Sequence, residues 1–343
     1  VKAMVISRIT NLAANPEPLD PVERDIPEPG AGEILLRVRA CGVCHTELDE
    51  IEGRTPPSRF PVIPGHEVVG RVEKCASEAS RFRVGERVGV AWIYSACGRC
   101  SFCRSGNENL CPQFRATGRD ADGGYAEYMV VPQNFAYPIP ERFTDVEAAP
   151  LLCAGAVGYR SLRLTGIADG DPLGLTGFGA SGHLVLKMVR YRYPRSPVYV
   201  FARSEKERSF AYDLGASWAG DTAEAPPAEC AAVIDTTPAF KPVVEALRNL
   251  RPGGRLVINA IRKEGEDLAY LLNIRYQTHL WMEKEIKSVA NVTRRDVEEF
   301  LKLADEIPIV PETTTFTLDE ANLALNQLKA GGIRGAKVLN LVR

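Results

Sequence analysis

The chain has 343 residues, room for two domains of roughly 100–200 residues each, and its 45% apolar and 25% charged content is that of an ordinary globular protein. Lys plus Arg number 42 and Asp plus Glu 44, a net charge of −2, without the basic excess expected of a nucleic-acid or anionic-membrane binder. No uncharged apolar run approaches the roughly 18 residues of a membrane span, and Val1-Lys2-Ala3-Met4 does not read as a secretion signal, so a cytoplasmic protein is expected. In chain order, the first third reads as short strands at 33–40, 66–75, 84–92 and 126–131, separated by Pro and Gly clusters. Longer helical segments follow around 144–164. From 172 onward, apolar strands at 172–176, 197–202, 231–235 and 255–260 alternate with amphipathic helices at 182–192, 205–214 and 241–250. That alternation predicts a doubly wound parallel sheet. A strand at 285–290 extends the series if 267–276 is the intervening helix. Helices near 294–304 and 318–330 and a strand at 336–341 end the chain. The pattern leaves open whether they close this sheet or return to the first domain.

Nine cysteines form no disulfide framework of a small secreted protein, and four of them bunch within Cys97-Gly-Arg-Cys100-Ser-Phe-Cys103 and Cys111. The C-x2-C-x2-C-x7-C spacing lets one loop wrap several thiolates around a single ion. Four soft thiolates suit tetrahedral zinc and leave no position open for substrate, which makes the expected site structural. An iron–sulfur cluster is the competing metal reading.

A second set is dispersed. Cys41-Gly-Val-Cys44-His45-Thr46-Glu47 lacks the βαβ context of a redox C-x-x-C, and Gly65-His66-Glu67 and Cys153 lie far from it in sequence. One His and two Cys would make a three-ligand zinc site with an open fourth position. Composition alone does not assemble them, because a lone Cys is usually a small buried hydrophobe.

Cys44-His-Thr, Gly65-His66-Glu67-Val-Val-Gly, the four-cysteine loop, Gly123-Gly-Tyr-Ala-Glu127 and Pro150-Leu-Leu-Cys153-Ala-Gly occur in one fixed order. Together they resemble the zinc-dependent alcohol dehydrogenases of the medium-chain dehydrogenase/reductase superfamily, over the whole chain. The resemblance implies an α/β protein with a GroES-like, β-rich catalytic domain (1–150, with 291–343 returning to it). It also implies a Rossmann doubly wound parallel-sheet domain for NADP (151–290), with the active site in the cleft between the two. By position, Cys44, His66 and Cys153 match the catalytic zinc ligands, and Cys97, Cys100, Cys103 and Cys111 the structural ones. Glu67 matches an acid that can approach the metal, and Glu47 stands for an Asp that orients the ligand histidine. Thr46 matches the hydroxyl that takes the alcohol's proton. His45 and Arg334 match contacts to the cofactor pyrophosphate, and Trp92 an aromatic lining the substrate pocket. Asp49 replaces the histidine that often ends a proton relay, and Val157 a threonine beside the nicotinamide. Cys41, Cys75, Cys230, His183 and His279 have no expected chemical role.

Gly177-Phe178-Gly179-Ala180-Ser181-Gly182 follows an expected strand and opens an expected helix, the context that makes G-x-G-x-x-G a dinucleotide fingerprint. About 20 residues on, NAD enzymes place an acid for the ribose diol. Here Val198-Tyr-Val-Phe-Ala202-Arg203-Ser204 holds none, and Arg203 with Ser204 would suit a 2′-phosphate instead. NADP(H) is therefore expected over NAD(H).

The expected function is interconversion of alcohols with aldehydes or ketones by hydride transfer to or from NADP(H), with two zinc ions per chain and a homodimer or homotetramer as the assembly. A polyol dehydrogenase is the nearest alternative, although such relatives commonly carry Glu where Cys153 stands. A zinc-stabilised NADPH-binding regulatory protein without turnover is the alternative from another class.

Overall fold

The computed structural model describes residues 1–307, 309–331 and 335–342. Backbone contacts gather the chain into two units, Val1–Cys153 with Val292–Arg343, and Ala154–Asn291. Among the described residues no helix is long and apolar enough to cross a membrane.

The first unit is built on a seven-stranded mixed sheet. Its order is Thr313–Phe316, Ala336–Asn340, Glu33–Val43, Val68–Cys75, Arg87–Val90 and Ala136–Pro138, with Tyr128–Pro132 also paired to Glu33–Val43. Along the long central strand Ile34, Leu36, Val38 and Ala40 are buried on one face, and Leu35, Cys41 and Val43 on the other, with only Arg37 exposed, the pattern of a strand in the middle of the sheet. Ala336–Asn340 runs antiparallel to that strand, with Val338 opposite Gly42 and Leu339 opposite Cys41. The pairing resolves what the sequence pattern left open: the end of the chain belongs to the first sheet.

The second unit is a six-stranded, wholly parallel sheet in the order Trp218–Gly220, Val198–Phe201, Leu173–Thr176, Cys230–Asp235, Leu250–Ile258 and Glu285–Ser288. Three of its inner strands, Leu173–Thr176, Val198–Phe201 and Cys230–Asp235, are buried, near-continuous apolar runs, and helices such as Ala180–Arg192, Glu205–Asp213 and Lys241–Arg248 link the sheet. Phe201, Cys230, Val233, Leu247 and Leu256 meet in one core cluster. Strand order reverses beside Leu173–Thr176, the switch point where open α/β sheets bind ligands at the strands' carboxyl ends.

One expected element is replaced. The segment 267–276 forms a 3-10 turn, Leu268–Asn273, and a π turn, Tyr276–Leu280, in place of a helix. The Asp267 carboxylate is spent elsewhere, accepting the Phe240 amide at 2.9 Å and the Lys241 amide at 2.7 Å at the start of helix Lys241–Arg248. It therefore caps a neighbour's first turn and not one of its own.

Candidate active site and metal centres

The register of the central strand against Val68–Cys75 sets Cys41 opposite Val68, so the chain leaves the sheet at Cys44 close to where His66 and Glu67 enter it. Helix His45–Ile51 starts there. Glu47 reaches back to accept the Cys44 amide on Oε2 at 2.8 Å, as the third residue of a capping box does. Its Oε1 lies 2.7 Å from His66 Nδ1. The turn before His66 requires glycine: Gly65 has φ +98°, and a Cβ there would sit 2.3 Å from the Tyr125 ring. Cys153 comes from a third segment, after the 3-10 turn Ala149–Leu152. Donor atoms of Cys44, His66, Glu67 and Cys153 all lie within 4.8 Å of one another.

This donor set fits a zinc ion. His66 Nε2 is buried and has no hydrogen-bond partner among the described residues, while Glu47 occupies Nδ1. An imidazole oriented through Nδ1 presents the Nε2 lone pair for a metal. The Cys44 and Cys153 sulfurs are 4.0 Å apart, near the roughly 3.8 Å edge of a tetrahedron with Zn–S bonds of about 2.3 Å. The hydrogen bond from Cys153, aided by His66, pulls the Cys44 thiol well below its ordinary value despite burial. Cys153 moves up through that same hydrogen bond and through burial, and Glu67 moves up through burial and the Cys44 charge. Several acids crowd a largely buried point, with Cys44 and Cys153 half-buried, that a divalent cation would neutralise.

The four-cysteine loop closes on itself in the same way. Donor sulfurs of Cys97, Cys100, Cys103 and Cys111 lie within 4.8 Å of each other, with Cys97–Cys103 at 3.9 Å and Cys100–Cys103 at 3.5 Å. Backbone amides point at them: Cys100 N at Cys97, Cys103 N at Cys100, and Gln113 N at Cys111, all at 3.3–3.5 Å. Amide donors from Arg99 and Cys100 bring the Cys97 thiol down to about 6, while burial takes Cys103 up to about 12.

The remaining residues of the first unit are placed as follows. Thr46 is buried, its Oγ1 3.7 Å from Cys44 Sγ. His45 is exposed at the start of the helix. Trp92 stacks on Phe114 at 4.9 Å and under the Arg119 guanidinium at 5.3 Å, and its Nε1 is buried without a partner among the described residues. Asp49 is buried, and its Oδ1 takes the Arg54 Nε at 2.5 Å, so this carboxylate is committed to an ion pair. Cys41 lies in the sheet with its Sγ 3.6 Å from the Gly42 carbonyl, and Cys75 bonds the Phe82 carbonyl at 3.4 Å. Arg334 lies outside the described residues.

In the second unit the glycine motif follows strand Leu173–Thr176. Gly177 has φ +77°, and a Cβ there would sit 2.8 Å from Thr236 Oγ1. Gly179 precedes helix Ala180–Arg192, with open space where its Cβ would lie, and Ser181 and Gly182 complete the first turn. A helix N-terminus with backbone laid open suits a pyrophosphate. Val157 is half-buried in helix Ala154–Thr165. Arg203 is exposed beyond strand Val198–Phe201, and Ser204 caps helix Glu205–Asp213 by accepting the Glu207 amide at 3.4 Å. The sequence reading passed over Arg208, whose Nη1 donates to the Ala202 and Arg203 carbonyls at 2.8 and 3.0 Å. The available signal was its place one helical turn after Ser204.

Comparison with known proteins shows the family. Residues 30–141 match the alcohol dehydrogenase GroES-like domain. A probable alcohol dehydrogenase of Mycobacterium tuberculosis is 43% identical over 327 residues, covering 94% of this chain and 92% of its own. The chain belongs to the zinc-type alcohol dehydrogenases of the medium-chain dehydrogenase/reductase superfamily. Among solved relatives, a cobalt- and zinc-bound thermostable alcohol dehydrogenase of Pyrobaculum aerophilum is 25% identical with a TM-score of 0.83, covering 99% of both chains. A dehydrogenase of Sinorhizobium meliloti with NADP bound is 28% identical with a TM-score of 0.84, also covering 99% of both chains. As a member of this alcohol dehydrogenase family, the protein is an oxidoreductase of alcohols.

Proposed function

We propose that the protein is a zinc-dependent alcohol dehydrogenase that interconverts small alcohols with aldehydes or ketones and prefers NADP(H). The observation that carries this reading is the convergence of Cys44, His66 and Cys153, with a buried His66 Nε2 that has no hydrogen-bond partner among the described residues. A zinc ion held by these three residues would supply a Lewis acid that lowers the pKa of an alcohol or polarises a carbonyl. Glu47 fixes the imidazole so that Nε2 faces the two sulfurs. Glu67 adds a carboxylate to the same point. Thr46 Oγ1, beside Cys44 Sγ, is the hydroxyl placed to accept the substrate's proton. Asp49, already paired with Arg54, is a poor onward carrier, which favours water for the rest of the relay. Cys97, Cys100, Cys103 and Cys111 would hold a second, structural zinc with no open position.

NADP(H) preference rests on Gly177, Gly179, Ala180, Ser181 and Gly182 for the pyrophosphate, and on Arg203 and Ser204 for the 2′-phosphate. Arg208, close by under the same strand end, brings a second guanidinium, which it shares with Asp221 at 4.0 Å. A guanidinium attracts the phosphate that a carboxylate would repel. None of the nine cysteines is in a disulfide, which accords with the reducing cytoplasm.

The assembly is proposed to be a symmetric homo-oligomer formed through the open edge of the parallel sheet. Among the described residues, strand Glu285–Ser288 pairs on one side only and is exposed along its whole length. Ile286 is 49% and Trp281, five residues earlier in the chain, 53% exposed, and an exposed strand edge carrying an apolar side chain is open to pairing. Antiparallel pairing of two copies about Ile286 would set Glu285 of each against Lys287 of the other, so the strand is self-complementary in charge.

The test is metal analysis with steady-state kinetics over a panel of alcohols and carbonyls. Two zinc ions per chain and greater efficiency with NADP(H) are expected, with activity lost in Cys153→Ser. Full activity in that variant would overturn the site, and equal or better efficiency with NAD(H) would overturn the cofactor preference.

A further inference from the structure

Gly42 lies in the central strand of the first sheet, two residues before Cys44. A glycine is required either by a left-handed backbone or by lack of room for a Cβ. Gly42 is not among the positive-φ glycines, so its conformation is open to any residue. Room is the constraint. A Cβ at Gly42 would sit 1.8 Å from Glu67 Oε2, 2.6 Å from its Cδ and 2.8 Å from its Cβ. The three nearest atoms all belong to this one side chain. Turning the carboxylate aside would not relieve the last contact, and the Gly42 amide ties the two segments by donating to the Glu67 carbonyl at 3.0 Å. The Glu67 carboxylate thus rests directly on the bare Cα of Gly42, a cradle open only to glycine.

We propose that Gly42 is a positioning residue whose function is to seat Glu67 against the donors Cys44, His66 and Cys153. The inference rests on the reading of those donors as the catalytic zinc site. An added methyl at 42 must drive the Glu67 carboxylate out of its seat, and the buried surroundings leave it no solvent to enter. The displaced oxygen then either crowds the donor ring or leaves it. In both cases the ligand field at the metal changes while the four-cysteine site does not.

The experiment compares wild type, Gly42→Ala, Glu67→Gly and the double variant, as purified holoprotein and after replacement of zinc by cobalt. The readouts are the visible cobalt spectrum and the rate at which a chelator removes each metal equivalent. Expected is a shifted spectrum in Gly42→Ala and a roughly tenfold or larger change in release of one equivalent, with the other unaffected. Removing the whole Glu67 side chain, Cβ included, removes the clash, so the double variant should behave like Glu67→Gly alone. If Gly42→Ala fails to fold but the double variant folds, the clash is demonstrated by rescue. An unchanged spectrum and release rate in Gly42→Ala would overturn the inference, as would misfolding in both backgrounds or additive effects of the two substitutions. If the wild type bound only one metal equivalent, the zinc-site reading itself would fail, an outcome distinct from these.

Discussion

Glu47 serves His66 and Cys44 at once: Oε1 is 2.7 Å from His66 Nδ1 and Oε2 takes the Cys44 amide at 2.8 Å. Both partners are donors when Nε2 is free to bind a metal, and only a carboxylate offers an acceptor to each. This one residue therefore caps helix His45–Ile51 and orients a ligand imidazole, which couples local backbone structure to the candidate metal site.

Glu47→Gln tests that coupling. The amide has one acceptor oxygen, so its NH2 must face either the Cys44 N–H or the His66 Nδ1–H. Metal affinity at the catalytic site should fall roughly 10- to 100-fold, as when other such supporting carboxylates are removed. Competition with a chromogenic chelator measures it. An unchanged affinity would mean that the hydrogen bond does not support the ligand.

The two metal centres differ in how readily they are read from sequence, and the reason is contact distance along the chain. Cys97 to Cys111 lie in one short loop, so their spacing already fixes their proximity. Cys44, His66 and Cys153 meet only because Glu33–Val43 pairs with Val68–Cys75 in a particular register and Cys153 returns from a third segment. Nothing local in the sequence encodes that register, and the family's motif order stood in for it. The parallel sheet was legible from its apolar alternation, apart from the three-residue strand Trp218–Gly220, too short to carry a period. The expected helix at 267–276 was lost because Asp267 is committed to the amides of Phe240 and Lys241, a tertiary contact invisible to periodicity. Arg208 was missed for a similar reason: its guanidinium is anchored under the strand end by backbone carbonyls, not by a motif partner.

Arg203→Ala should raise the KM for NADP(H) roughly 10- to 100-fold, the scale of one or two lost charge-assisted hydrogen bonds. The KM for NAD(H), which has no 2′-phosphate, should change little. Arg208→Ala should weaken NADP(H) in the same direction, with some loss of stability because its side chain also ties the Ala202 and Arg203 carbonyls. Parallel kinetics with both cofactors separate the two effects. Equal losses for NADP(H) and NAD(H) in Arg203→Ala would remove it from the phosphate site.

Ile286→Asp places a charge at the centre of the proposed strand pairing. Two such carboxylates facing each other across a twofold axis repel, and the apolar edge is lost. Multi-angle light scattering should show a monomer, or a halving of the native assembly, with the fold retained by circular dichroism. A native-sized assembly would place the interface elsewhere.

Glu52 gives a pH-dependent prediction away from the metal sites. Burial pushes its carboxyl up, but hydrogen bonds from Lys329, Arg54 and the Leu12 amide outweigh this and bring it from 4.5 to about 2. A folded-state pKa below the unfolded one means the unfolded chain binds the proton more tightly, so protonation favours unfolding. The stabilisation is complete above about pH 5 and fades as pH falls through 4.5 toward 2. Because Arg54 and Lys329 are more than a third exposed or close to it, solvent screening limits the contribution to about 1 kcal/mol or less. Urea unfolding of wild type and Glu52→Gln should therefore differ most near pH 6 and converge only as pH falls to about 2. A difference that stayed constant over that range would assign the effect to packing and not to the charge on Glu52.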